Sequence, residues 1–96
     1  MYDKKVLDKV MQLGTLGYPL SKALNVLDLE EGLVDQFQRD FECPDTVIYK
    51  QYQKGVDKSD FLIDAKLFEM AKNGDLKAVE KYEQRKKLNI YNSKKR

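Results

Sequence analysis

The run Ala71-Lys72-Asn73-Gly74-Asp75-Leu76 constrains this chain more than any other stretch, because it joins two helix-patterned segments with almost no loop. Ahead of it, Phe61, Leu62, Ala65, Phe68 and Ala71 recur at helical spacing, and after it Leu76, Val79 and Tyr82 do the same. Gly74 suits the left-handed conformation that closes a helix, and the Asp75 carboxylate suits the first free N–H groups of the next. A tight helical hairpin is therefore expected here.

The same signals divide the rest of the chain. Asp3 is placed to cap a first helix with a stripe of Val6, Leu7, Val10, Met11 and Leu13, which Gly14 is expected to end. Thr15–Tyr18 read as a turn, and Pro19 fits the first position of a short second helix carrying Leu20, Ala23 and Leu24. After a turn over 25–28, Asp28 or a neighbour caps a third helix running to about Phe41, with Leu29, Leu33, Val34, Phe37 and Phe41 facing inward. Gly32 weakens that helix by ~1 kcal/mol relative to alanine. Pro44 marks a fourth start, through Val47, Ile48, Tyr49 and Tyr52, and Gly55 is expected to stop it. A fifth helix spans roughly 59–73 and a sixth 75–87. Val47-Ile48-Tyr49 is the only β-prone run and is too short to make a strand. Past Lys87 the periodicity fades, and the tail is expected to fray unless Leu88, Ile90 and Tyr91 dock on something. The chain thus reads as all-α, a small bundle of about five to six helices. A helix-turn-helix-like unit covers 1–43, C-terminal helices and the hairpin cover 44–87, and a basic, flexible tail covers 88–96.

Composition narrows the chemistry. Ninety-six residues suit one domain with a modest core, for which self-association is an added source of stability. No stretch reaches the ~18 apolar residues of a membrane span and no signal-peptide pattern opens the chain, so no membrane partner and a cytoplasmic setting are expected. There is no histidine, and Cys43 is the only cysteine. An internal disulfide and a Cys/His zinc site therefore lack partners, and Cys43 beside Pro44 reads as a structural thiol at a helix start. Neither a phosphate-cradling glycine loop nor a serine elbow is present, so no cofactor, no metal and no catalytic residue are expected; the chain does not read as an enzyme.

The net charge of +2 hides a gradient. Residues 28–45 hold seven acidic residues against Arg39 alone, a net of −6, whereas the tail 88–96 adds +3. The second and third helices have helix-turn-helix proportions, with small Ala23 at the expected crossing. Yet the third helix exposes Glu30, Glu31 and Asp35, which phosphates repel, and leaves only Gln36, Gln38 and Arg39 for DNA. Candidate phosphate-contacting residues are therefore Lys4, Lys5 and Lys9 on the first helix, Lys22 on the second, Gln36 and Arg39 on the third, Arg85, Lys86 and Lys87 on the sixth, and Lys94, Lys95 and Arg96 in the tail. The bland alternative for the last two groups is solubility and favourable charge at a helix C-terminus.

The order of elements resembles the small terminase subunits of tailed bacteriophages: a helix ending at Gly14, the short helix Pro19–Leu24, a turn through Val26 and Leu27, an aromatic helix with Tyr49 and Tyr52 closing at Gly55, and a hairpin joined through 71–75 with Ala78 beyond it. That resemblance implies a non-catalytic DNA-packaging adaptor. It would bind double-stranded genome DNA, form a homo-oligomeric ring, and recruit a large terminase subunit carrying ATPase and nuclease activities. The hairpin would then supply subunit contacts through Phe61, Leu62, Phe68 and Tyr82. Two other readings stand beside it: a helix-turn-helix transcription regulator, and a protein-interaction module whose acidic helix docks on a basic partner.

Overall fold

The computed structural model describes residues 2–95, with side chains through Asn92, and contains five helices and no strand among them. They are α1 (Lys4–Leu16), α2 (Leu20–Leu27), α3 (Glu31–Glu42), α4 (Val47–Lys72) and α5 (Leu76–Lys95). The chain divides into two compact units, 1–59 and 60–96. The division falls inside α4 rather than at 43/44, because the first turns of α4 complete the N-terminal core.

In the first unit the expected start of α1 is present: Asp3 Oδ1 accepts from the Val6 N–H at 2.9 Å. Its end is not where the glycine signal suggested. The helix runs through Gly14 to Leu16 and closes at Gly17, whose φ of 70° lets its N–H reach the Gly14 carbonyl at 3.1 Å. Pro19 stands just outside α2, and its carbonyl accepts from Ala23 N–H at 2.9 Å. Asp28 does not cap α3. It closes α2 in the left-handed region (φ 49°), a conformation aspartate tolerates better than most residues, and α3 begins from Glu30 without a side-chain cap.

The largest departure concerns α4. The two helices expected on either side of Gly55 are one continuous helix of 26 residues. Its start is set by Thr46 rather than Pro44: the Thr46 hydroxyl accepts from Tyr49 N–H at 3.2 Å and donates to the Asp40 carbonyl at 2.6 Å. Gly14 and Gly55 are both buried, each inside its helix, where α1 and α4 cross. A Cβ on Gly14 would run into the Tyr52 carbonyl and lie within 3.2 Å of Tyr52 Cα, and one on Gly55 would run into the Met11 carbonyl and lie 2.8 Å from Thr15 N. The two glycines are contact surfaces for a close backbone approach, not stop signals. Thr15 seals the crossing by donating to the Gly55 carbonyl at 3.3 Å, and Tyr52 donates its hydroxyl to the Tyr18 carbonyl at 2.9 Å.

Around this crossing lies a core of Val10, Leu13, Ala23, Leu27, Phe37 and Ile48. Phe37 is wholly buried and links an aromatic chain: Tyr2 meets it edge-on at 6.2 Å, Phe41 lies 6.1 Å away, and Phe41 in turn meets Tyr52 at 4.9 Å. Cys43 is exposed and ends α3 instead of beginning a helix.

The second unit is the helical hairpin. Its junction forms as the sequence implies. Gly74 has φ 96°, the Asp75 N–H reaches back to the Met70 carbonyl at 3.2 Å, and Asp75 Oδ1 accepts from Ala78 N–H at 3.1 Å. The tail does not fray at Lys87; α5 continues to Lys95, since no proline or glycine interrupts 88–95 and Asn89 is held by a hydrogen bond to Asp64. Among the described residues, no helix is long and apolar enough to cross a membrane.

Candidate assembly and nucleic-acid surfaces

The seam of the hairpin comes from positions three or four apart on each helix. Asp60, Asp64, Leu67 and Ala71 supply it from α4, and Ala78, Tyr82, Arg85 and Asn89 from α5. Only Ala78 among them is fully buried. At the open end, Arg85 Nη2 pairs with Asp60 Oδ1 at 3.3 Å, Arg85 Nε donates to Asp64 Oδ1, and Asn89 Nδ2 donates to Asp64 Oδ2 at 3.0 Å. The hydrogen bond from Arg85, helped by that from Asn89 and opposed by partial burial, holds the Asp64 carboxyl below the usual carboxylate range.

A group lowered in the folded state stabilises it above its unfolded pKa and loses that contribution as pH falls through the folded value. The clasp should therefore be intact at neutral pH and open only in strong acid. Arg85→Gln should raise the Asp64 carboxyl back toward the ordinary range, which a carboxyl-carbon NMR titration would read directly. An unmoved Asp64 titration would show that Arg85 does not set it.

Because the two helices run antiparallel, residues that follow seam positions lie on one side of the hairpin in both helices, and residues that precede them lie on the other. The first side carries Phe61, Ala65 and Phe68 from α4 and Val79 and Lys86 from α5. Phe61 is 71% exposed and Phe68 47%, although the Phe68 ring meets Tyr82 at 5.5 Å. The second side carries Ile63, Lys66 and Met70 from α4, with Lys77, Lys81, Gln84 and Leu88 from α5; all seven are exposed.

The expected assembly residues thus separate. Phe61 and Phe68 share the aromatic side, Tyr82 is half-buried beneath Phe68, and Leu62 is exposed on the outer surface of α4. The expected phosphate contacts scatter more widely. Lys4, Lys5 and Lys9 are exposed on α1, and Lys22 lies over the Tyr18 ring at 4.0 Å. Gln36 and Arg39 are drawn into a local network: Gln36 Nε2 donates to Asp40 Oδ1 at 2.8 Å, and Arg39 Nη2 donates to Gln36 Oε1 at 3.1 Å. Asp40 also receives the Tyr2 hydroxyl at 2.8 Å, and burial together with that acidic partner pushes the Tyr2 phenol up to about 12.

Arg85 is committed to the clasp, Lys86 sits 5.8 Å from the Tyr82 ring, and Lys87 is exposed. The expected contacts at Lys94, Lys95 and Arg96 lie outside the described side chains. Asp60, Asp64 and Asn89 were not singled out from the sequence, since their role depends on the register with which α5 folds back on α4. Comparison with protein-family models, curated proteins and solved structures finds no match to this chain.

Proposed function

We propose that this chain is a DNA-packaging adaptor of the small terminase type: a non-catalytic subunit that self-assembles through its hairpin, holds double-stranded DNA and delivers it to a large packaging subunit. The observation that carries the assembly part is the imbalance of the 60–96 unit. Among its described residues it buries one apolar side chain, Ala78, while Phe61, Leu62, Phe68 and Leu76 are each 47% exposed or more. A helical pair with so little interior gains most from covering that surface, and a second copy supplies a matching aromatic side. The charge balance supports the DNA part, because residues 60–96 hold ten basic and six acidic residues, a net of +4.

Light scattering on the purified chain should give a discrete mass of several subunits, and Phe61→Ser with Phe68→Ser should shift it toward monomer while helical circular dichroism is kept. A wild-type chain that stays monomeric at high concentration would sink this reading. A second reading is favoured by one observation: Glu30, Glu31 and Asp35 are all exposed where α3 begins, and none is ion-paired among the described residues. A monomer that ignores DNA would leave that acidic turn, docking on a basic protein, as the better account.

A further inference from the structure

The geometry points to the lysine-bearing side of the hairpin, built from Lys66, Lys77 and Lys81, as a binding surface for the phosphate backbone of duplex DNA. This rests on the DNA-binding reading above and says where on the chain that binding occurs. These are not the basic residues that the sequence brings forward.

Position decides it. Each of the three immediately precedes a seam residue (Leu67, Ala78 and Tyr82), so the fold gathers them on one side of the hairpin although ten residues separate Lys66 from Lys77. No acidic residue immediately precedes a seam residue on this side. Asp60 and Asp64 are consumed in the clasp, Asp75 caps α5, and Glu83 follows the seam residue Tyr82, which places it with the aromatic side. Glu69 and Glu80 stand two positions beyond seam residues, on the outward surfaces of their helices.

The fields of the three cations add, and the nearest carboxylates, Glu69 and Glu80, flank Lys66 and Lys77 from the outward surfaces rather than standing between the lysines. All three are exposed, and none forms an ion pair among the described residues. Lys77 and Lys81 are one helical turn apart, about 6 Å along the axis. Met70 lies among the lysines, and Ile63 and Leu88 continue the same side toward the open end, apolar ground along which lysine stems lie while the ammonium groups reach outward. Gln84 adds a donor and acceptor on the same side. Such a surface recognises charge and spacing without reading base edges, so binding should be indifferent to sequence and steeply dependent on salt.

The test is fluorescence anisotropy with a labelled mixed-sequence DNA duplex, titrated at several salt concentrations. Three proteins are compared: wild type, the triple variant Lys66→Gln, Lys77→Gln, Lys81→Gln, and a charge-matched control Lys50→Gln, Lys54→Gln, Lys58→Gln. Circular dichroism and light scattering on each report fold and assembly. The hairpin variant should bind at least about tenfold more weakly at low salt, and its slope of log affinity against log salt should fall by about 2.7, that is, 0.9 for each phosphate contact removed. The control should keep the wild-type slope, and all three should keep the same mass.

If the wild type binds but the hairpin variant retains its affinity and slope, this assignment is overturned while the DNA-binding reading stands. Equal loss in the control would reduce the effect to net charge and also overturn it. Loss of DNA binding together with loss of assembly would place the lysines in a subunit contact instead. No binding by the wild type at low salt would remove both the assignment and the reading it rests on.

Discussion

Replacing Gly14 or Gly55 with alanine is expected to destabilise the first unit by about 3 kcal/mol in each case, despite alanine being the better helix former. Intrinsic propensity favours the substitution by roughly 1 kcal/mol in a helix interior. Against that, the new methyl group meets backbone atoms of the facing helix: the Tyr52 carbonyl from Gly14, and the Met11 carbonyl and Thr15 amide from Gly55. Backbone cannot rotate out of the way as a side chain can, so α1 and α4 must separate. Separation would also stretch the hydrogen bonds from Thr15 to the Gly55 carbonyl and from Tyr52 to the Tyr18 carbonyl.

Gly32→Ala provides the internal comparison. Gly32 is exposed in the first turn of α3 with nothing near its missing Cβ, so alanine there should be neutral or stabilising by up to about 1 kcal/mol. Urea unfolding followed by circular dichroism measures all three. Equal behaviour of Gly14, Gly55 and Gly32 variants would mean that the helix crossing is not as close as described.

Phe37→Ala is the second large effect, with an expected loss of about 3–5 kcal/mol, the range for emptying a buried aromatic site. The ring has no solvent exposure and stands between Tyr2 and Phe41 in a core that has only a few fully buried large side chains. In a chain of this size each kilocalorie per mole moves the melting temperature by about 4–8 °C, so the first unit should melt at least about 12 °C lower. Phe68→Ala calibrates the result. That ring is nearly half exposed and meets Tyr82, so its loss should cost about 1 kcal/mol in the absence of assembly. A Phe37 variant that melted with the Phe68 variant would contradict the assigned core.

Much of the fold was legible residue by residue. Asp3, the Gly74 turn and Asp75 act as their local chemistry requires, because a cap or a left-handed turn is settled within about four residues of chain. Val10, Leu13, Ala23 and Phe37 follow from helical periodicity in the same way. Gly14, Gly55 and Asp28 depart from their local signals because those signals are ambiguous. A glycine inside a helical pattern looks the same whether it ends the helix or admits another backbone, and an aspartate between two helices suits the end of one as well as the start of the next.

The candidate surfaces show the same limit. That Phe61 and Phe68 belong to an apolar stripe was visible from spacing, but their exposure was not. Arg85, to all appearance part of a basic run with Lys86 and Lys87, is bound to Asp60 and Asp64 from twenty or more residues away. Lys66, Lys77 and Lys81 come onto one side only through the register with which α5 folds back on α4, so no spacing along the chain groups them.

By itself, then, the sequence determined the helical class, the hairpin junction with its glycine and aspartate, and the apolar stripe of each helix, since caps, turns and periodicity are local and act before distant segments meet. Only the tertiary structure decided that two expected helices are one, that two glycines form a crossing, and which charges are paired within the fold and which stay exposed. Those outcomes depend on register between segments far apart in the chain, where a single residue's shift would rotate every side chain to another face.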